Sequence, residues 1–146
     1  MLLPDVNILI YAFRADVPEH LPSRRWLTAL VEDNKPFAMS RLALSAVVRI
    51  TTTVGIYRQP SSLDEVFSFC GVLAEQPNCR FVEPGEKHWA IFEDICRSTE
   101  TRGKRVTDAW FAALAIEHGC EWVTLDRDYA RFPGLRWRTP EQALTG

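Results

Sequence analysis

The sequence predicts an α/β fold on a mostly parallel sheet, and two observations predict it. Short apolar runs alternate along the chain with longer amphipathic stretches, the pattern of strands joined by crossover helices. The length of 146 residues suits one domain, expected over 1–146, and no repeat or low-complexity segment divides it.

The elements follow in order. Leu2 to Asp5 is a short apolar run that leads into a helix over 7–15, with Ile8, Leu9, Tyr11 and Ala12 facing inward. A second helix over 19–33 puts Trp26, Leu27, Leu30 and Val31 on one face. Lys35 to Met39 reads as a strand, and Leu42 to Thr53 as a helix despite its β-branched Val47, Val48, Ile50 and Thr51. Ser62 caps the next helix, over 62–75, with Glu65 three residues on as a capping box. Arg80 to Val82 is a strand, Pro84 to Thr99 a helix, and Arg102 to Arg105 a basic loop. Thr107 to His118 is the clearest helix, stopped by Gly119. Trp122 to Leu125 reads as a buried strand and Leu135 to Trp137 as a last short one.

Composition narrows the function. The hydrophobic fraction of 47% is enough for a core, and 25% charged residues argue against disorder. A net charge of −2 excludes a generally basic nucleic-acid coat, so any such contact must come from a local patch. The start of the chain has no basic leader region, and Asp5 interrupts the first apolar run, so neither a signal peptide nor a membrane span is expected. Cys70, Cys79, Cys96 and Cys120 contain no C-x-x-C pair and read as free thiols of a reducing cytoplasm. Five Trp and eight Phe hint at apolar surface covered by a partner.

In parallel α/β sheets the ligand site lies beyond the carboxyl ends of the strands. Asp5 and Asp126 close the first and fourth predicted strands, and Asp108 lies in the first turn of the helix beginning near Thr107. Asp126 and Asp128 share a side, about 7 Å apart, if the chain stays extended there. If it turns at once they diverge, and Asp128 becomes a cap or a support. Carboxylates gathered at one point repel unless they share a cation. All-oxygen ligands select hard divalent ions, Mg²⁺ or Mn²⁺, and the chemistry this best suits is phosphodiester hydrolysis. Each acid also has a plain structural reading: Asp5 as a helix cap, Asp108 as a partner of the helix dipole, Asp126-Arg127-Asp128 as a turn. Asn7, Thr107 and Thr124 read as caps or carboxylate supports rather than ligands. His20, His88 and His118 are scattered, and no nucleophile–base set can be assembled from them.

Three blocks, L-L-P-D-V-N-I-L-I-Y-A-F-R at 2–14, V-T-D-A-W-F-A-A-L-A-I-E-H-G at 106–119 and T-L-D-R-D-Y-A-R-F-P-G-L-R-W at 124–137, together resemble the PIN-domain toxins called VapC, and more narrowly their mycobacterial branch. The resemblance covers essentially the whole chain. It implies a three-layer α/β/α sandwich with a central mostly parallel sheet. It also implies the toxin of a type II toxin–antitoxin system: a metal-dependent endoribonuclease that is homodimeric and neutralised by a VapB-type antitoxin. Asp5, Asp108 and Asp126 match the family's metal-binding acids, Asp128 a fourth and less regular one, and Thr124 the hydroxyl residue two positions before the third acid. The helices over 19–33 and 62–75 are candidates for the dimer contact.

One departure stands out. Many PIN domains carry a glutamate in the helix after the second strand, where this chain has Ser45 and Ala46. The site is then expected to hold one ion by itself and a second only with RNA. The departure also motivates an alternative, a catalytically weakened PIN domain that binds RNA or protein. Should some other acid complete the cluster, Glu93 and Asp94 are the first places to look, although both read as a solvated helix face. Arg102, Lys104 and Arg105 precede Asp108, and Arg127 and Arg131 flank the other acids. They would put positive charge on the rim, where an RNA backbone could be tracked.

Overall fold

The computed structural model describes residues 1–145; Gly146, the last residue of the expected domain, lies outside the described residues. The elements are β1 (Leu2–Pro4), α1 (Val6–Phe13), α2 (His20–Glu32), β2 (Phe37–Met39), α3 (Arg41–Thr51), α4 (Leu63–Ala74), β3 (Cys79–Phe81), α5 (His88–Thr99), α6 (Arg105–Glu117), β4 (Glu121–Val123), a 3₁₀ helix (Arg127–Arg131), β5 (Trp137–Arg138) and α7 (Pro140–Thr145). Every strand pairing is parallel. β4 lies between β1 and β5, β2 pairs with β3, and β1 packs beside β2. α1 to α4 and α7 form one connected group of packed helices; α5 and α6 form another, with α6 against β4. This is the expected sandwich of helices about a parallel sheet.

Burial explains why these segments hold their shapes. Leu3, Phe37, Met39, Trp122 and Val123 are fully buried, and the Phe111 and Trp122 rings stack at 5.3 Å between α6 and β4. α3 is helical in spite of its β-branched residues because Ala43, Val47 and Thr51 fall on one buried face at a spacing of four. Buried Thr51 satisfies its hydroxyl by donating to Val47 O at 2.7 Å. α6 ends in a Schellman motif: the Gly119 N–H donates to Ile116 O, the Cys120 N–H to Ala115 O, and Gly119 has φ +64°.

Several boundaries differ from the sequence reading. α5 begins at His88, not Pro84, because the Glu117 carboxylate accepts the N–H groups of Gly85 (2.7 Å) and Lys87 (2.9 Å) and holds that stretch open. α6 starts at Arg105, two residues early, so Arg105 leaves the basic loop for the first helical turn. β4 stops at Val123, and Leu125 is exposed rather than buried. The capping box at α4 is half made: Ser62 Oγ accepts the Glu65 N–H at 3.1 Å, while the Glu65 carboxylate returns to that hydroxyl, not to the backbone. α7 has no counterpart in the sequence reading. Its signal is nonetheless present in Thr139-Pro140-Glu141-Gln142, a full capping box. The Gln142 N–H donates to Thr139 Oγ1 at 3.3 Å, and the Thr139 N–H to Gln142 Oε1 at 2.9 Å.

Candidate active site

Asp5 follows β1 directly and stands at the N-cap of α1. Its N–H donates to Val123 O at 2.9 Å, so the pairing of β1 with β4 runs up to it. Its side chain makes no capping hydrogen bond. It accepts instead from Thr124 Oγ1 at 2.6 Å. That hydroxyl, wholly buried, also accepts the Asp126 N–H at 2.9 Å and the Asn7 side-chain amide at 3.4 Å. One oxygen atom therefore sets Asp5 and the Asp126 backbone relative to each other. The chain turns at once after β4: Asp126 Oδ1 accepts the Asp128 N–H at 3.0 Å and caps the 3₁₀ helix. Asp128 thus reaches the rim, more exposed than Asp126.

Asp108, in the first turn of α6, is approached from two sides. The buried Tyr129 hydroxyl donates to its Oδ1 at 3.2 Å, and Arg105 Nη1 donates to its Oδ2 at 3.2 Å. The same Nη1 lies 3.3 Å from Asp126 Oδ2, and Nη2 pairs closely with Asp128 Oδ2. A single guanidinium spans three of the four acids.

The electrostatics are those of crowded, partly dehydrated carboxylates. Burial pushes the Asp5 carboxyl up to about 7; the Thr124 hydroxyl and Val6 N–H oppose the shift, and the charges of Asp108 and Asp126 add to it. Burial likewise raises Asp108, against the hydrogen bonds from Tyr129 and Arg105. The Tyr129 phenol is raised by burial and by all three acids, so it stays protonated and donates.

Among the described residues, no three His, Cys, Asp or Glu side chains are arranged to hold a metal ion as they stand. The donor chemistry nevertheless fits a hard divalent cation. The donors are carboxylate oxygens, one of them buried and short of compensating charge, and Asn7 Oδ1 is a buried acceptor without a hydrogen-bond partner.

The other expected residues fall in different places. Thr107 is exposed and bonds to no acid among the described residues. Arg102, Lys104 and Arg127 are exposed and enter no ion pair among the described residues. Arg131 turns away, donating to Thr99 O and Thr101 Oγ1, both at 3.3 Å, and so ties down the loop before α6. Ser45 is exposed and lines a groove between α3 and α4. Glu93 pairs with Arg97 on the solvated face of α5, and neighbouring Asp94 is exposed too. One site residue, Tyr129, escaped the sequence reading, and Arg105 was read there only as positive charge on the rim. Tyr129 was signalled only by being an aromatic with a hydroxyl to satisfy beside the acids. The grip of Arg105 on three carboxylates had no linear signal beyond its place three residues before Asp108.

The PIN domain family model matches residues 2–135. Ribonuclease VapC43 of Mycobacterium tuberculosis is 35% identical over 145 residues, 99% of each chain. Ribonuclease VapC25 of the same organism is 35% identical over 96% of this chain and 99% of its own. Two solved structures share the fold at low identity. VapBC2 from Rickettsia felis, bound to a DNA fragment from its promoter, has a TM-score of 0.69 at 16% identity, covering 94% of this chain and 97% of that one. The sarcin–ricin loop cleaving toxin VapC20 of Mycobacterium tuberculosis has a TM-score of 0.64 at 14% identity, covering 93% and 99%. With its acids at the carboxyl ends of β1 and β4 and the head of α6, and with full-length relatives named VapC ribonucleases, this chain belongs to the PIN-domain family, in its VapC branch.

Proposed function

We propose that this chain is the ribonuclease toxin of a toxin–antitoxin pair, a single PIN domain that cleaves RNA phosphodiester bonds with the help of Mg²⁺ or Mn²⁺. The observation that supports the reading is a chain of side-chain contacts: Arg105 bridges Asp108 and Asp126, Thr124 joins the Asp5 carboxylate to the Asp126 backbone, and Tyr129 stands behind Asp108. Asp5, Asp108 and Asp126 would hold the ion, with Asp128 at the rim. Bound there, it would activate a water and stabilise charge on a phosphoryl oxygen. The chain's own residues do the remaining work. Thr124 fixes the Asp5 carboxylate, the Tyr129 hydroxyl holds Asp108, and the capped turn at Asp126 keeps that side chain from swinging away. Exposed Arg102, Lys104 and Arg127 offer positive charge to an RNA backbone that a chain of net charge −2 would otherwise repel.

The apolar surface supports a homodimer. Leu27, Val31, Phe69, Val72 and Leu73 line a groove between α2 and α4, and Phe67 and Val72 are more than half exposed. These are the helices expected at the homodimer contact, and their exposed apolar side chains support a covered face there. Structural neighbours solved as VapBC complexes support a VapB-type antitoxin as the neutralising partner. Among the described residues no helix is long and apolar enough to cross a membrane; a cytoplasmic location is part of the proposal.

The test is cleavage of total RNA by the purified chain with Mn²⁺, Mg²⁺ or EDTA, beside Asp108→Asn. Metal-dependent cleavage lost in the variant supports the reading. Binding of RNA without cleavage under every condition would favour the alternative, a PIN module that binds but does not cut, for which Ser45 and Ala46 in place of the glutamate are the motive.

A further inference from the structure

We infer that Arg105 is a built-in counter-ion that competes with the divalent ion for the carboxylate cluster and gives way when RNA phosphate draws it outward. The inference rests on the metal-nuclease reading above and deepens it. Arg105 Nη1 lies 3.2 Å from Asp108 Oδ2 and 3.3 Å from Asp126 Oδ2, while Nη2 pairs with Asp128 Oδ2. These oxygens are the ones a cation would need. A hard divalent ion ligates oxygen at about 2.1 Å, and a guanidinium held against the same oxygens both fills their lone pairs and repels the ion. Proton loss cannot remove that charge, because a guanidinium stays protonated in proteins. Only movement can. The side chain is about one-third exposed (32%), so it has a way out.

Its way out leads to phosphate. Arg102 and Lys104 are exposed just ahead of it and Arg127 beside Asp128, so a backbone tracked along this rim passes the guanidinium, whose planar fork suits phosphate as well as carboxylate. Asp5 is the acid that Arg105 does not reach; its hydrogen-bond partner is Thr124. The cluster is therefore divided into one buried acid held by Thr124 and three acids engaged by Arg105. Substrate binding and ion loading become linked through one side chain, and linkage of this kind is reciprocal.

The experiment is calorimetric titration of Mn²⁺ into EDTA-stripped full chain, with and without a single-stranded 2′-O-methyl RNA oligonucleotide. The wild type is compared with Arg105→Gln and Arg105→Lys, and Arg127→Gln gives the effect of losing one nearby positive charge. Without RNA, Arg105→Gln should bind Mn²⁺ on the order of tenfold tighter, the scale of losing charged hydrogen bonds. Arg105→Lys, which keeps the charge but cannot span three acids, should fall between, and Arg127→Gln should shift much less. The RNA should tighten Mn²⁺ binding more in the wild type than in Arg105→Gln. Equal affinities for wild type and Arg105→Gln, weaker binding by the variant, or the same RNA effect on both would overturn the inference while leaving the metal site standing. No Mn²⁺ binding by any form at millimolar concentration would remove the metal reading itself, and this inference with it.

Discussion

Asp5 and Ser40 occupy the same position at the carboxyl ends of adjacent strands, β1 and β2. Each has an extended backbone and each is the N-cap of the helix that follows. Ser40 does the work of a cap: its Oγ accepts the Ala43 N–H at 3.2 Å, and the residue is buried. Asp5 does not; its carboxylate makes no capping hydrogen bond and accepts from Thr124. Asp126 stands between the two, one oxygen capping the 3₁₀ helix and the other facing Arg105. The three show that a capping position is also a place from which a strand can present a side chain to the crevice. A polar group withheld from the helix end is free for chemistry, and the cost is a buried charge.

The largest expected effect breaks the acid side of this comparison. Asp108→Asn keeps the side-chain volume and removes a ligand charge. RNA cleavage should fall on the order of a thousandfold, the upper range for losing one preorganised electrostatic stabiliser, and growth arrest on overexpression should be relieved. Equal toxicity at equal abundance would show that hydrolysis at this site is not the cause.

Next is the stability of the ion-free protein against pH. Folding raises the Asp5 carboxyl from about 3.8 to about 7, so between those values the native state holds a proton that the unfolded chain has released. The contribution is fully present below pH 3.8 and lost as pH rises through 7. At about 1.4 kcal/mol per unit, the loss amounts to a few kcal/mol. In EDTA, Asp5→Asn should therefore gain stability on the wild type from pH 5 to pH 8 by urea unfolding, and millimolar Mg²⁺ should narrow the gap. A constant difference across that range would mean that Asp5 is not held as a buried charge.

Thr124→Val removes the hydroxyl shared by Asp5 and Asp126. As the loss of a group that orients metal ligands, it should cost about 10–100-fold in Mn²⁺ affinity or activity. A variant as active as the wild type would reduce Thr124 to a packing residue. Smallest is Ser40→Ala, which should lose about 1 kcal/mol of stability by denaturant midpoint and leave Mn²⁺ affinity unchanged, the reverse of the Asp5 variant on both counts.

Most of the layout was legible in the sequence because periodicity and caps are local. Ser62, Gly119 and the apolar faces of α2 and α6 mark their own elements. The misplaced ends have non-local causes. α5 starts late because Glu117, some thirty residues on, holds the N–H groups ahead of it. Asp5 and Asp126 were recognisable as candidates from where strands end, and Asp108 from where a helix begins. The bonds around them were not, since Arg105 reaches across to Asp126 and Asp128, and Tyr129 back to Asp108, over about twenty residues or more. The Asp126–Asp128 alternative was settled by one backbone bond, Asp128 N–H to Asp126 Oδ1, which no spacing rule specifies.

The hydrogen bond between Thr124 and Asp5 joins residues 119 positions apart, and β1 pairs with no strand but β4 among the described residues. At a synthesis rate of about 5–20 residues per second, the first acid emerges some 6–24 seconds before the hydroxyl that fixes it. A nascent chain halted before residue 121 has Asp5 and Asp108 but neither Thr124 nor Asp126, and β1 lacks its neighbour. The strand order thus acts as a timer: the four acids cannot be brought together until β4 and the turn that follows it have been made.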